Sequence, residues 1–149
     1  MSALEGKVPP PVLVVLAAAT IWLLPRAFEP PGILSQAGLA LVVAGLAING
    51  WPKVLFRRAG TSVRPVRPSL ASVLVMHGPY RFSRNPMYLG YAVALLGWSA
   101  WLAQPWGLVV VAFFVAYITR FQVIPEERHL SCRFRAQYAA YRRAVRRWA

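Results

Sequence analysis

Four apolar stretches alternate with polar breaks along the 149-residue chain. The first runs from about Pro11 to Phe28, with an uncharged centre from Val12 to Leu24. The second runs from about Ile33 to Trp51, with Gln36 and Asn49 as its polar interruptions. The third covers about Pro86 to Leu102 and the fourth about Trp106 to Ile124. Each is about 17 to 19 residues, or about 26–29 Å of helix at 1.5 Å per residue. That is close to the roughly 30 Å hydrocarbon core of a bilayer. The pattern therefore predicts an all-α integral membrane protein with four transmembrane helices. Trp51, Trp98, Trp101 and Trp106 lie near the span ends, where amphipathic rings favour the headgroup layer. The first stretch is read as a retained span. Its flank Met1–Lys7 has one Lys and one Glu, and its apolar run continues past Ala17-Ala18-Ala19 through Trp22, unlike a cleaved signal peptide.

Beyond the fourth span the period changes. Leu130, Phe134, Tyr138, Tyr141, Val145 and Trp148 recur every three or four residues, one face of a helix, with arginines on much of the other. This predicts an amphipathic C-terminal helix over 126–148 that lies in the interface or closes over the cytoplasmic ends of the spans. Pro125 is expected to bend the chain between the fourth span and this tail. The length fits a single domain, residues 1–149, with a loop over 52–85.

Composition narrows the function classes. Apolar residues make up 58% of the chain and charged ones 14%, with 17 Lys+Arg against 4 Asp+Glu and a net charge of +13. Disorder needs far lower hydrophobicity. A soluble nucleic-acid binder would not carry so much apolar sequence, so no nucleic-acid partner is expected. The basic residues instead follow topology: Lys53, Arg57, Arg58, Arg64, Arg67, Arg81 and Arg84 lie in the long loop, and seven further arginines follow the fourth span. By the positive-inside rule the loop, the tail and the N-terminus are cytoplasmic. The uncharged turn Ala103-Gln104-Pro105 makes the third and fourth spans an antiparallel hairpin. One cysteine, Cys132, and two separated histidines, His77 and His129, cannot supply four zinc ligands, so no metal is expected.

Two segments carry candidate chemistry. In Gly78-Pro79-Tyr80-Arg81-Phe82-Ser83-Arg84-Asn85-Pro86-Met87-Tyr88, Asn85 and Pro86 read as N-cap and first residue of a helix. That helix start, with Arg84 and Arg81 beside it, can receive an anion. In Ile124-Pro125-Glu126-Glu127-Arg128, two of the four carboxylates of the chain are adjacent in its most basic third. Negative charge suits the first turn of the tail helix. A cationic ligand, or hydroxyls to accept from, gives at least one of them a further role.

Together these segments resemble the isoprenylcysteine carboxyl methyltransferases and their bacterial relatives, a group whose broader superfamily includes phospholipid methyltransferases. The run Arg84-Asn85-Pro86-Met87-Tyr88 is similar to the family's Arg-His/Asn-Pro-x-Tyr motif. A hydrophobic hairpin and a Glu-Glu pair, here Glu126-Glu127, follow in the same order. Leu130, Phe134, Tyr138, Tyr141 and Val145 match the trailing pattern. The resemblance covers about residues 60–148. It departs from the family at Asn85, which replaces a His of the eukaryotic enzymes; at Arg135, which replaces a Gly; and at Gln122, which stands where the family places a substrate-binding Arg.

The resemblance implies a membrane-embedded methyltransferase that uses S-adenosylmethionine bound in a cytoplasmic pocket. By position, Ser72, Val73, Leu74, Val75, Tyr80, Asn85, Pro86, Met87, Tyr88 and Glu126 would line the cofactor. Gln122 would take the substrate-binding position, and Arg84, Arg120 and Glu127 the catalytic ones. A carboxylate acceptor needs only a positive positioning group such as Arg84 or Arg120, whereas an amine needs a base, for which Glu127 is the candidate. The abundance of Arg favours an isoprenylcysteine-like carboxylate on a lipophilic molecule over the amine headgroup of a phospholipid. An NADPH-dependent reductase of the sterol-reductase type has a similar architecture but different hallmark segments. A small four-span transporter would carry an ionisable residue within a span, and no span centre here has one.

Overall fold

The computed structural model describes residues 8–25, 29, 32–58 and 74–149, apart from the Phe56 side chain. Ser72 and Val73, with Glu5, Arg26, Arg64 and Arg67, lie outside the described residues. The described residues form helices and turns only: α1 (Pro10–Leu23), α2 (Gly32–Arg58), a 3-10 turn (Gly78–Arg81), α3 (Pro86–Trp101), α4 (Gly107–Ile118), a π turn (Thr119–Val123) and α5 (Ile124–Ala144). Among the described residues, two helices are long and apolar enough to cross a membrane, Gly32–Leu55 and the helix that starts at Gly107. The 14 residues of α1 stop short of the expected 11–28. Leu24 precedes Pro25 and adopts extended backbone (φ −66, ψ 150), the conformation that a following proline enforces.

The α2–α3 pair sets the frame. Glycines face one another across it and bring the backbones into contact. A Cβ added at Gly90 would lie 2.5 Å from the Asn49 nitrogen, and one at Gly97 2.6 Å from the Gly38 carbonyl oxygen. Nothing larger fits without prising the helices apart. At the start of α3 the pair is latched by Asn49 Nδ2, which donates to the Met87 carbonyl at 2.8 Å. The main core lies on the other side of α3. Tyr88, Ala92 and Leu95 pack there with Ala17 and Ile21 of α1 and with Val111, Phe114 and Ile118 of α4. Trp98 Nε1 donates to the Ala18 carbonyl at 3.1 Å, and Gln104 Nε2 to that of Leu24 at 2.6 Å, tying the hairpin turn to α1. The outer faces stay apolar: Val15, Leu39, Val43, Leu108 and Phe113 are all exposed.

Two expectations for the tail are corrected. Helix does not end at Pro125 but continues from α4 through the π turn into α5. The π turn explains why. The Ile124 N–H bonds back to the Thr119 carbonyl, so the ladder is already re-registered where the proline's missing N–H arrives. The irregularity falls instead at Arg135, whose φ of 32 and ψ of −106 interrupt α5. The apolar stripe from Leu130 to Trp148 is therefore not one straight face. Helix ends at Ala144, and Val145 is extended (φ −128, ψ 134).

Candidate functional site

The candidate residues meet where the start of α3, the start of α5 and the C-terminal segment converge. Gly78, with φ of 63, opens the 3-10 turn. The turn is anchored by Tyr141 Oη, which donates to the Tyr80 carbonyl at 2.7 Å. Asn85 stands at the N-cap position of α3, but its side chain makes no capping bond. It is buried against the C-terminal segment, where Nδ2 donates to the Arg147 carbonyl at 3.0 Å. Ser83 Oγ accepts the Asn85 N–H at 3.1 Å, and the Arg84 N–H reaches the Arg146 carbonyl at 3.0 Å. Residues 83–85 and 146–147 thus lie side by side. The first helical bond of α3 runs from the Leu89 N–H to the Asn85 carbonyl, so the N–H groups of Met87 and Tyr88 precede the ladder.

The two glutamates have different environments. Glu126 Oε1 accepts the Tyr88 hydroxyl at 2.7 Å. Burial pushes its carboxyl up to about 7; the Tyr88 bond opposes that rise and the neighbouring Glu127 adds to it. Glu127 is buried and holds two arginines. Arg84 Nη1 lies 2.9 Å from Oε1, while Arg147 Nε and Nη2 reach the two oxygens at 3.1 and 2.8 Å. Arg84 Nη1 also approaches Tyr138 Oη at 3.5 Å, a weak contact. Its Nε is buried without a protein partner. Burial also raises the Tyr80, Tyr138 and Tyr141 hydroxyls, which stay protonated donors at neutral pH.

The structure therefore brings Tyr80, Arg84, Asn85, Pro86, Met87, Tyr88, Glu126 and Glu127 to one place. Val75 is buried and Leu74 half-buried in the extended segment before the 3-10 turn. Gln122 is buried, and its Nε2 is committed to the Val8 carbonyl at 2.8 Å. Arg120 is exposed on the π turn, with its guanidinium 5.5 Å from the Phe121 ring centroid. Among the described residues, no three His, Cys, Asp or Glu side chains group as metal ligands. Two participants were missed by sequence reasoning. Arg147 is one arginine among seven in the tail, and no spacing marks it out. Lys53 was assigned to the loop by charge, yet it sits on α2 one turn after Asn49, a polar pair that closes an apolar run.

The sequence of the chain matches the family described as phospholipid methyltransferase over residues 34–137, more than half its length. The chain belongs to that family. The matched region runs from α2 into α5 and leaves out α1 and the Arg147 segment. Among curated proteins, an uncharacterized protein of Haemophilus influenzae is 37% identical over 62 residues, covering 42% of this chain and 98% of its own. Protein-S-isoprenylcysteine O-methyltransferase A of Arabidopsis thaliana is 30% identical over 115 residues, covering 75% of this chain. The match spans 57% of the Arabidopsis protein's length. No solved structure matches.

Proposed function

We propose that this chain is a membrane-embedded, S-adenosylmethionine-dependent methyltransferase acting on a lipophilic acceptor, with an isoprenylcysteine-like carboxylate as the methyl-accepting group. The observation that carries this reading is the Tyr88–Glu126 hydrogen bond at the start of α3, with the Arg84–Glu127 ion pair beside it. The residues present fit the cofactor. Glu126 can hold a ribose hydroxyl or an ammonium group, Tyr80 and Tyr88 can enclose adenine and a sulfonium, and the buried Arg84 Nε–H and the first turn of α3 can receive a carboxylate. When bound, S-adenosylmethionine supplies an electrophilic methyl group. The chain itself has to orient donor and acceptor and exclude water.

In this reading four segments span the bilayer, about 11–28, 33–51, 86–102 and 106–124. The long loop, both termini and the site face the cytoplasm. The exposed apolar faces of α1, α2 and α4 support it, as does the concentration of basic residues in the segments after the second and fourth apolar stretches. Between α1 and α4, a groove of about 470 Å³ is lined by Leu13, Ala17, Phe113, Phe114, Tyr117 and Phe121. Its lining suits a lipid chain.

Methylation of a phospholipid amine is the second reading, and one feature favours it. Such an acceptor needs a base, and Glu126, raised to about 7, is suited to take a proton near neutral pH. Glu127, the sequence-based candidate, is held by two arginines. Calorimetric titration of the detergent-solubilised chain with S-adenosylhomocysteine tests the assignment. Binding that Glu126→Ala weakens is the expected result. No binding by the wild type, or unaltered binding by the variant, rejects it.

A further inference from the structure

Any complex of the proposed reaction with a carboxylate acceptor holds two anions, the cofactor's amino-acid carboxylate and the acceptor's own. Arg84 stands beside the start of α3. Its Nη1 is taken by Glu127, and its Nε is buried without a protein partner. Lys53 is a cation on the neighbouring helix α2. It is half-buried on α2, its ammonium bonded to Asn49 Oδ1 and 5.7 Å from the Tyr91 ring centroid. Among the described residues, no carboxylate pairs with it.

The mount of Lys53 is rigid. Asn49 is 4% exposed and its Nδ2 is fixed on the Met87 carbonyl, which leaves Oδ1 directed at the ammonium. One of the three ammonium donors is thereby used and two remain. Tyr91 follows Tyr88 by three residues, on the same face of α3. Lys53, Tyr91, Tyr88 and Glu126 therefore form a row across the start of α3, with a positive end opposite the cofactor-binding candidate. A ligand anion would supply the counter-charge that the described residues do not.

We infer that Lys53 binds the anionic group of the lipophilic acceptor, an inference that rests on the methyltransferase reading above. The probes are N-acetyl-S-farnesylcysteine, its methyl ester and farnesyl phosphate, titrated into the full chain in detergent. Wild type is expected to bind the free acid at least about tenfold more tightly than the ester, a difference of about 1.4 kcal/mol. Lys53→Met should lose that preference and Lys53→Arg should keep it. If farnesyl phosphate shows the same Lys53 dependence, the site reads negative charge in general; if only the acid does, it reads a carboxylate. A preference retained in Lys53→Met, or absent from the wild type, overturns the inference. S-adenosylhomocysteine binding is measured on the same samples. Its loss from the wild type counts against the methyltransferase reading, whereas its retention in Lys53→Met alongside a lost acid preference isolates the effect to the acceptor.

Discussion

Arg147 closes on both carboxylate oxygens of Glu127, at 2.8 and 3.1 Å, so the end of the chain is ion-paired to the first turn of α5. The same segment accepts from Ser83 and Asn85 through its backbone. It fastens the start of α3 to the start of α5, the two helix ends that carry the candidate site.

The two arginines on Glu127 are expected to contribute unequally. The Arg84 side chain is 9% exposed, that of Arg147 36%. Solvent screens the outer pair, so Arg147→Ala should cost about 1 kcal/mol or less. Arg84→Ala removes the buried partner and should cost about 2–3 kcal/mol, below the usual loss for a broken buried pair because Arg147 stays. Thermal unfolding in detergent ranks the two. An Arg147→Ala variant as unstable as Arg84→Ala would contradict the assignment.

Glu126 makes stability depend on pH. Its carboxyl is raised from 4.5 to about 7 in the folded chain, so between those values the folded state binds more protons than the unfolded one. Stability contributed by the protonated group is complete below about 4.5 and is lost as pH rises through about 7, with a slope of at most about 1.4 kcal/mol per pH unit. Glu126→Gln should flatten this part of the stability–pH curve. S-adenosylhomocysteine binding runs the other way. If the ionised carboxylate holds a hydroxyl or ammonium, affinity rises between pH 6 and 8 in wild type and stays level in Glu126→Gln.

Tyr88→Phe should move that titration upward. The Tyr88 hydroxyl donates to Glu126 and favours its charged form, so removing it raises the carboxyl further. The midpoint of the binding–pH curve is then expected above that of wild type, with weaker affinity at pH 7. A midpoint at or below the wild-type value would show that the bond does not act on Glu126.

Much of this arrangement could be read from residue order, and the rest was hidden for identifiable reasons. The Arg84–Tyr88 run and Glu126-Glu127 were marked by their types and spacing, and they do converge. The starts of α2, α3 and α4 followed from apolar runs bounded by prolines and glycines, but α2 runs through Pro52 to Arg58, past the expected end at Trp51. The direction of each side chain did not follow. Asn85 has the right residue type for a cap, yet tertiary contact with the Arg147 carbonyl wins its amide. Gln122 occupies a substrate position by resemblance but is spent on the backbone of Val8. Pro125 carries a strong local signal for a helix break, yet helix continues through it directly after a π turn of five residues.

Gly97→Leu should separate α2 from α3. A Cβ there already lies 2.6 Å from the Gly38 carbonyl oxygen and the Val42 nitrogen, both backbone atoms that cannot swing aside. Overpacking of this kind costs about 1–3 kcal/mol or more. Because the Asn49–Met87 latch lies in the same interface, ligand binding should weaken together with thermal stability. Gly32→Leu is the control, since nothing lies within 4 Å of its added Cβ. A Gly97→Leu variant as stable as that control would contradict the close approach.

Arg135→Gly is expected to stabilise the chain. Arg135 holds φ of 32 inside α5, one of two non-glycine residues with positive φ among those described. Positive φ costs an L-residue about 1–2 kcal/mol, and glycine adopts it without that penalty but loses more chain entropy on folding. The net gain should be about 0.5–1 kcal/mol. Arg135 is exposed, so little packing is lost. Beyond the kink, Tyr138 and Tyr141 reach Arg84 and the Tyr80 carbonyl. Arg135→Ala should leave the strain in place and gain nothing. Thermal unfolding of both variants decides: stabilisation by Gly but not Ala identifies backbone strain, and equal effects would assign the change to the lost charge.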